Sequence, residues 1–454
     1  MIEELKNLIS KIDADYSDIR YEIKKEVKII FSGKELVEVS SNSTDGYVLR
    51  ILKRGGFATV TFTKKEDSGK AIRDGIENAI LITKNKESYV NLAKVEPIKD
   101  VFIPKLTEDP RNVSMEEKIE LLRKYNSIPF NSNKVITTNI NYNEVIREKY
   151  FVSSEGSEIR EDLITLGIRG TITVKEGNLL QNIRVGFEGS DGFRIMRDKE
   201  NEFEDRTKIA IALLKASPVK GGIYNVVLNP ELASVFTHEA FGHFSEADLI
   251  EDNPSLRAKL KIGEKLGSEK VNIIDDATIP GQLGFYKYDD EGVKVRPTFL
   301  MKEGILVGRL HSRRTAAAFG EPITGHCVAE DYRYPPIIRM GNIFIQPGES
   351  SFEELLDDLG DGLYLLDAKG GETSGENFTF GAQYGYEVKN GKIGKMIREI
   401  NISGNLYKTL ENIKKVGNDL SFSKVGGCGK GQINIKSSSG APHILVERVV
   451  VGGR

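Results

Sequence analysis

The chain has 454 residues, 39% hydrophobic and 29% charged, and its 64 basic and 67 acidic residues leave a net charge of −3. That is globular material long enough to bury a substantial core, with no global basic field to mark nucleic acid as its main partner. Two cysteines, Cys327 and Cys428, make no disulfide framework and fit a reducing cytoplasm, and no stretch approaches the roughly 18 apolar residues of a membrane span.

Ile2, Leu5, Leu8, Ile9 and Ile12 fall at helical spacing. This acidic start lacks the basic segment and apolar run of a secretory signal. Strand-like runs follow in "YEIKKEVKIIF" and "ELVEVSS", split by Ser32-Gly33, and then on either side of Gly55-Gly56 in "GYVLRILKRGGFATVTF". Ile72, Ile76 and Ile80 predict a helix over 66–84. Helix, four short strands and helix define a first α+β unit, residues 1–95.

Pro97, Pro104 and Pro110 lead into a second unit, residues 96–216. Ser114 and Glu117 form a capping box that opens a helix to about residue 126. The strand runs "KVITTNINYNEVIREKYFVSS" and "LITLGIRGTITVKEGNLLQNIRVGFEG" turn at Glu155-Gly156 and Glu176-Gly177, and a charged helix over 202–215 closes the unit. Ser217-Pro218 and Gly221-Gly222 open the third part, residues 217–454, with a strand at "YNVVLN" and hairpin signals at Glu291-Gly292, Glu303-Gly304 and Asn390-Gly391. Asp275-Asp276 and Asp289-Asp290-Glu291 read as solvated loops. The expected fold class is α+β: N-terminal α/β units followed by a larger, antiparallel-sheet-rich C-terminal domain.

That domain contains "NPELASVFTHEAFGHFSEADL", residues 229–249, with two of the five histidines of the chain. Asn229 is a good N-cap, Pro230 fits the first helical position, Glu231 suits the positive end of the dipole, and Leu232, Val235 and Phe236 supply an apolar face. His238 and His243 bracket Glu239 as His-Glu-x-x-x-His, one residue longer than the zinc-protease pattern. Residues four apart on a helix lie about 40° apart around its axis, and residues five apart about 140°. A regular helix therefore cannot aim both imidazoles at one ion. A π-bulge or break near Gly242 is required for them to meet. In this pattern the Glu is not a ligand; it takes a proton from the attacking water and passes it to the leaving amine. A third ligand is needed. Cys428 in "GGCGKGQ" ranks slightly above His326 and Cys327, with Glu246 and Asp248 also within the same segment as the histidines.

"HEAFGHFSEADL" resembles the HExxxH signature of the TldD/PmbA metalloprotease family. The resemblance extends to "YNVVLNPELASVFTHEAFGH", "DDATIPGQLGFYKYDDEGV", "TFLMKEGILVGRLHSRRTA", "SKVGGCGKGQ" and "PHILVERVVVGG", in family order. It implies a metal held by His238, His243 and Cys428, with Glu239 as general base, and one Zn²⁺ per catalytic chain. Because every element is kept, the chain resembles the catalytic TldD-type subunit. The resemblance further implies a cytoplasmic peptidase acting on unfolded or extended peptides. It would work as a dimer, with a second copy or with a TldE/PmbA-type paralogue that lacks the motif, and with no membrane or nucleic-acid partner. The competing expectation is a non-catalytic peptide-binding or assembly subunit with a structural metal; the intact Glu239 is what separates the two.

Overall fold

The computed structural model describes residues 1–84, 89–251 and 253–453. Its first half is built on one seven-stranded sheet. In chain order the elements are α1 (Ile2–Ile9), β1 (Tyr16–Ser32), β2 (Glu35–Lys53), β3 (Gly56–Phe62), α2 (Ser68–Ile82), β4 (Lys99–Phe102), α3 (Met115–Ser127), β5 (Val135–Ser153), β6 (Glu158–Glu176), β7 (Leu179–Gly189) and α4 (Glu200–Leu213). The sheet order is β3-β2-β1-β5-β6-β4, with β7 also on β6. The β1–β5 ladder runs from Asp18↔Ser153 to Ser32↔Asn139, so the two N-terminal units share this sheet.

Two strands were expected where β2 runs unbroken. The polar stretch "SSNSTDG" has the composition of a turn, yet it pairs residue by residue with β1, for example Glu26↔Asn42 and Lys24↔Thr44. A long ladder outweighs local turn preference here, and residues 41–45 extend the strand with exposed side chains.

The odd-numbered residues Ile19 and Tyr21 of β1 pack with Leu49 and Ile51 of β2 and with Leu5 and Leu8 of α1. The even-numbered Asp18, Arg20, Glu22 and Lys24 alternate with them and are also buried.

In the C-terminal half, β8 (Gly222–Leu228), β9 (Gly362–Ser374), β10 (Asn377–Lys389), β11 (Lys392–Arg398), β12 (Ile400–Asn405) and β13 (Ile444–Gly452) form the main sheet. The pairings β9–β8, β8–β13, β13–β12, β12–β10 and β10–β9 close a ring of five strands. The β10–β11 hairpin turns at Asn390 and Gly391, both at positive φ (50° and 72°), which is what a two-residue type I′ turn demands. A second sheet has the strands Ile273–Asp275, Thr298–Lys302, Asn342–Ile345 and Ser438–Ala441 at its centre. The helix α5 (Pro230–Ala240) lies between ring and sheet. Leu232, Ala233 and Phe236 are fully buried, and Phe236 meets the Phe378 ring edge-on at 5.5 Å. Burial of Leu232 and Phe236 stabilises the helix by about 1.5–3 kcal/mol each.

The acidic loop Asp289-Asp290-Glu291 is not solvated: each residue is 3% exposed, and Asp275 is 0% exposed. Asp290 meets Arg20 at 3.1 Å and Lys149 at 3.2 Å, and Glu291 meets Arg50 at 2.8 Å. Asp331 of the same half binds Lys24 at 3.2 Å. The charged face of β1, β2 and β5 is thus covered by the C-terminal half, which supplies the opposite charges. Buried ions need such partners, since leaving one unpaired costs several kcal/mol.

Candidate metal centre

The fold determines how α5 ends. Asn229 caps its start, accepting from the Leu232 amide at 3.0 Å. Its last regular hydrogen bond runs from the Phe241 amide to Thr237 at 3.1 Å. Phe241 then leaves helical geometry (φ −129°, ψ −36°), and Gly242–Ser245 winds as a 3₁₀ turn. The extra residue of HExxxH is therefore absorbed by a break at Phe241, not by a π-bulge. The tighter turn that follows swings His243 back, so that its ring lies 5.2 Å from that of His238, nearly perpendicular to it.

Gly242 contributes space, not an unusual backbone angle. A Cβ there would lie 2.1 Å from Met340 Sδ and 3.2 Å from Ile343. Gly242→Ala is accordingly expected to cost about 1–3 kcal/mol through overpacking. Urea unfolding of the metal-free protein reads this directly, and an unchanged midpoint would remove the packing reason for this glycine.

Cys428 arrives from the far end of the chain. Its amide donates to Ile435 O at 3.2 Å in a short hairpin whose neighbouring link is Gly427 N to Ser437 O at 2.8 Å. Cys428 Sγ stands 3.5 Å from His243 Nε2, and the donor atoms of His238, His243 and Cys428 all lie within 4.8 Å of one another. Zinc bonds of about 2.3 Å to sulfur and 2.0–2.1 Å to nitrogen put tetrahedral ligand atoms roughly 3.5 Å apart. The donor set and its spacing fit such an ion.

Burial alone would raise the Cys428 thiol. Hydrogen bonds with His238 and His243, reinforced by the charges of His238 and Arg339, bring it down to about 5. Burial likewise opposes charge on His243, but hydrogen bonds with Cys428 and Glu246 lift it to about 9. At neutral pH these shifts favour a Cys428 thiolate paired with a protonated His243, so a metal taking up the thiolate would displace the proton from that imidazole.

Glu239 follows His238 on α5, and its Oε2 lies 3.9 Å from His243 Nε2. Its side chain and that of His243 are 23% and 20% exposed, so this side of the cluster reaches solvent. The backbone oxygen of Glu239 accepts from Thr373 Oγ1 of β9 at 2.9 Å.

Around these four residues stand Arg339 and Lys430, which the sequence did not single out, and Glu246, which it offered only as a ligand. Glu246, weighed above as a ligand, is 0% exposed and faces His243 Nδ1 at 3.4 Å. It also meets Arg339 at 3.3 Å and Lys430 at 3.1 Å. A carboxylate behind a histidine fixes which ring nitrogen faces the metal. Lys430 also binds Asp248 at 2.7 Å and Ile338 O at 3.1 Å, which ties the Cys428 loop to the histidine segment. The signal in the sequence was Lys430 itself, two residues after Cys428. The reach of Arg339 across about a hundred positions left none.

His326 and Cys327 stand outside this cluster. His326 Nε2 faces Asp275 at 3.0 Å in the core, and burial pushes the Cys327 thiol well above its ordinary value.

Family models match three successive stretches: PmbA/TldA metallopeptidase domain 1 over 17–83, the central domain over 108–217 and the C-terminal domain over 221–453. The chain belongs to the PmbA/TldD metallopeptidase family. It is 35% identical to a metalloprotease of Synechocystis over 97% of this chain and 95% of that one. It is 33% identical to the zinc metalloprotease TldD homolog of Saccharolobus solfataricus, over 98% of each. In fold it is similar to TldE from Thermococcus kodakarensis, with a TM-score of 0.82 at 20% identity, covering 99% of this chain and all of that one. Among the described residues no helix is long and apolar enough to cross a membrane.

Proposed function

We propose that the protein is a zinc-dependent peptidase that cleaves unfolded or extended peptides. The observation that carries this reading is the meeting of His238, His243 and Cys428 with Glu239 beside them on the solvent side. A structural site needs no adjacent carboxylate with access to water.

His238, His243 and Cys428 would hold the ion, and Glu246 keeps His243 Nε2 turned toward it. Zinc supplies Lewis acidity, which makes water a nucleophile near neutral pH and polarises a peptide carbonyl. Glu239 takes the proton of the attacking water and delivers it to the departing amine. An extended substrate is held by strand addition. The edge is β9: it pairs with β8 only over Leu363–Leu365, and among the described residues no strand covers that edge from Ala368 to Thr373. Thr373 brings this edge to the Glu239 backbone. The reading extends to a cytoplasmic dimer, with a second copy or a TldE-type chain; the likeness in fold to TldE supports that assembly.

Metal analysis paired with cleavage of an unfolded protein such as casein tests this. Wild type is expected to hold about one divalent ion per chain, as a three-ligand site implies. Cys428→Ala should weaken zinc binding by more than the roughly 10–100-fold that loss of a ligand's supporting partner costs. Normal zinc uptake by Cys428→Ala would sink the ligand assignment.

A further inference from the structure

A cavity of about 360 Å³ lies at the seam between the N-terminal sheet and the C-terminal half. It is bounded on one side by Gly426 and Gly427, the residues immediately before Cys428, and on another by β5 and β6. That volume is within the range of small-molecule sites.

The charges lining it are nearly all committed to partners. Lys24 binds Glu26 and Asp331, and Arg147 binds Glu22. Lys149 binds Glu161 and Asp290, and Arg169 binds Glu188. Glu330 accepts from the Ile433 and Asn434 amides. Lys436 is the exception: it lines the cavity, is half-buried, and its Nζ makes no hydrogen bond or ion pair among the described residues. Burial holds this ammonium below its ordinary range; Glu188 and Glu26 pull the other way, Arg169 and Lys24 add to the effect, and an anion in direct contact would relieve it. Between the charges the wall is apolar, with Leu163, Leu283 and Ile435.

One free ammonium beside an apolar wall suits a singly charged group on an apolar body. Phosphate, with more charge and more acceptors, calls for a fork of donors that the paired arginines no longer offer. We infer that this cavity binds the C-terminal carboxylate of a peptide, with Lys436 as its counter-ion and the terminal apolar side chain against Leu163, Leu283 and Ile435. The choice of a peptide rests on the proposed peptidase activity; the carboxylate and apolar character rest on the cavity alone.

The test is calorimetric titration of the zinc-loaded full chain carrying Glu239→Gln, which binds without turnover. The probes are a short peptide ending in leucine, as free acid and as amide, and 4-phenylbutyrate. The acid should bind roughly tenfold or more tighter than the amide, as expected for a charge-assisted hydrogen bond. Adding Lys436→Met should abolish that preference, and Lys436→Arg should retain it, with zinc content unchanged in both. Equal binding of acid and amide would overturn the inference, and so would a preference that survives Lys436→Met. Binding of phenylbutyrate without the peptide acid would also overturn it, by assigning the cavity to small acids. The acid–amide comparison stands by itself if Lys436→Met does not fold. None of these readouts needs cleavage. A Lys436-dependent preference in a protein that cleaves nothing would fault the peptidase reading alone, and cleavage without the preference would fault this inference alone.

Discussion

Glu239→Gln is expected to lower kcat for peptide cleavage by about 10²–10⁴-fold, the usual worth of a positioned general acid–base group, while zinc content stays at the wild-type level. Glutamine keeps the shape of the side chain and its ability to hydrogen-bond but cannot accept the proton of the attacking water. Glu239 is not among the three residues whose donor atoms converge, so its replacement should leave the metal in place. The backbone link from Thr373 to Glu239 O does not depend on the side chain, so β9 should keep its position too. Metal analysis by mass spectrometry and single-turnover cleavage of one quenched peptide read the two effects separately. If Glu239→Gln cleaves as fast as wild type, Glu239 is not the base. If it loses zinc as well, the separation of ligand from base drawn here is wrong.

The second large effect lies at the seam between the N-terminal sheet and the C-terminal half. Asp290→Ala is expected to destabilise the fold by about 3–5 kcal/mol, because it removes one member of a buried charge cluster and leaves the others. Arg20 and Lys149 lose a partner at 3.1 and 3.2 Å, and the Ala329 amide loses an acceptor at 2.7 Å. Both cations are buried, so water cannot take the place of the lost carboxylate without opening the seam. Burial by itself would raise the pKa of Asp290. Arg20, Lys149 and Arg147, with the Ala329 amide, outweigh it and carry the group well below the ordinary carboxylate range.

The sign of the pH dependence follows. A depressed folded-state pKa contributes stability that is fully present above the unfolded value of about 3.9 and is lost as pH falls through the folded value. The gap between wild type and Asp290→Ala should therefore be constant from pH 5 to 7 and narrow by roughly 1.4 kcal/mol per pH unit below about 4. Urea unfolding at several pH values measures both the gap and its slope. A difference under about 1 kcal/mol at neutral pH, the range of an exposed ion pair, would show that the seam is wetter than its geometry implies.

Much of the scaffold was legible because its signals are local. The helix at the start, the Ser114 cap, the turns at Gly156, Gly177 and Asn390-Gly391 and the Asn229 cap each depend on a few neighbouring residues, and each lies where the sequence places it, although Glu117 gives its carboxylate to Arg197 and leaves the box at Ser114 half made. The α+β class followed from their order. Boundaries shifted where pairing partners intervened, as when β1 drew "SSNSTDG" into a strand. The reading of Asp289–Glu291 as solvated failed for a related reason. A run of acids has no local feature that distinguishes an exposed loop from one inserted into a basic sheet face.

The HExxxH segment divides the same way. Counting residues around a helix axis required that α5 be interrupted, and with Glu239 between the histidines the sequence by itself determined the donors available on that segment and the irregularity they needed. It also determined that β1 alternates charged and apolar residues. Tertiary structure decided the form of the interruption, a break at Phe241 followed by a 3₁₀ turn with Gly242 pressed against Met340. It likewise decided that Cys428 arrives beside His243, and that the charged face of β1 turns to an acidic loop instead of water. Periodicity and capping act over one or two turns of chain and are written in neighbouring residues. Packing distances and ion-pair partners join positions hundreds of residues apart, and only the folded chain brings those within reach.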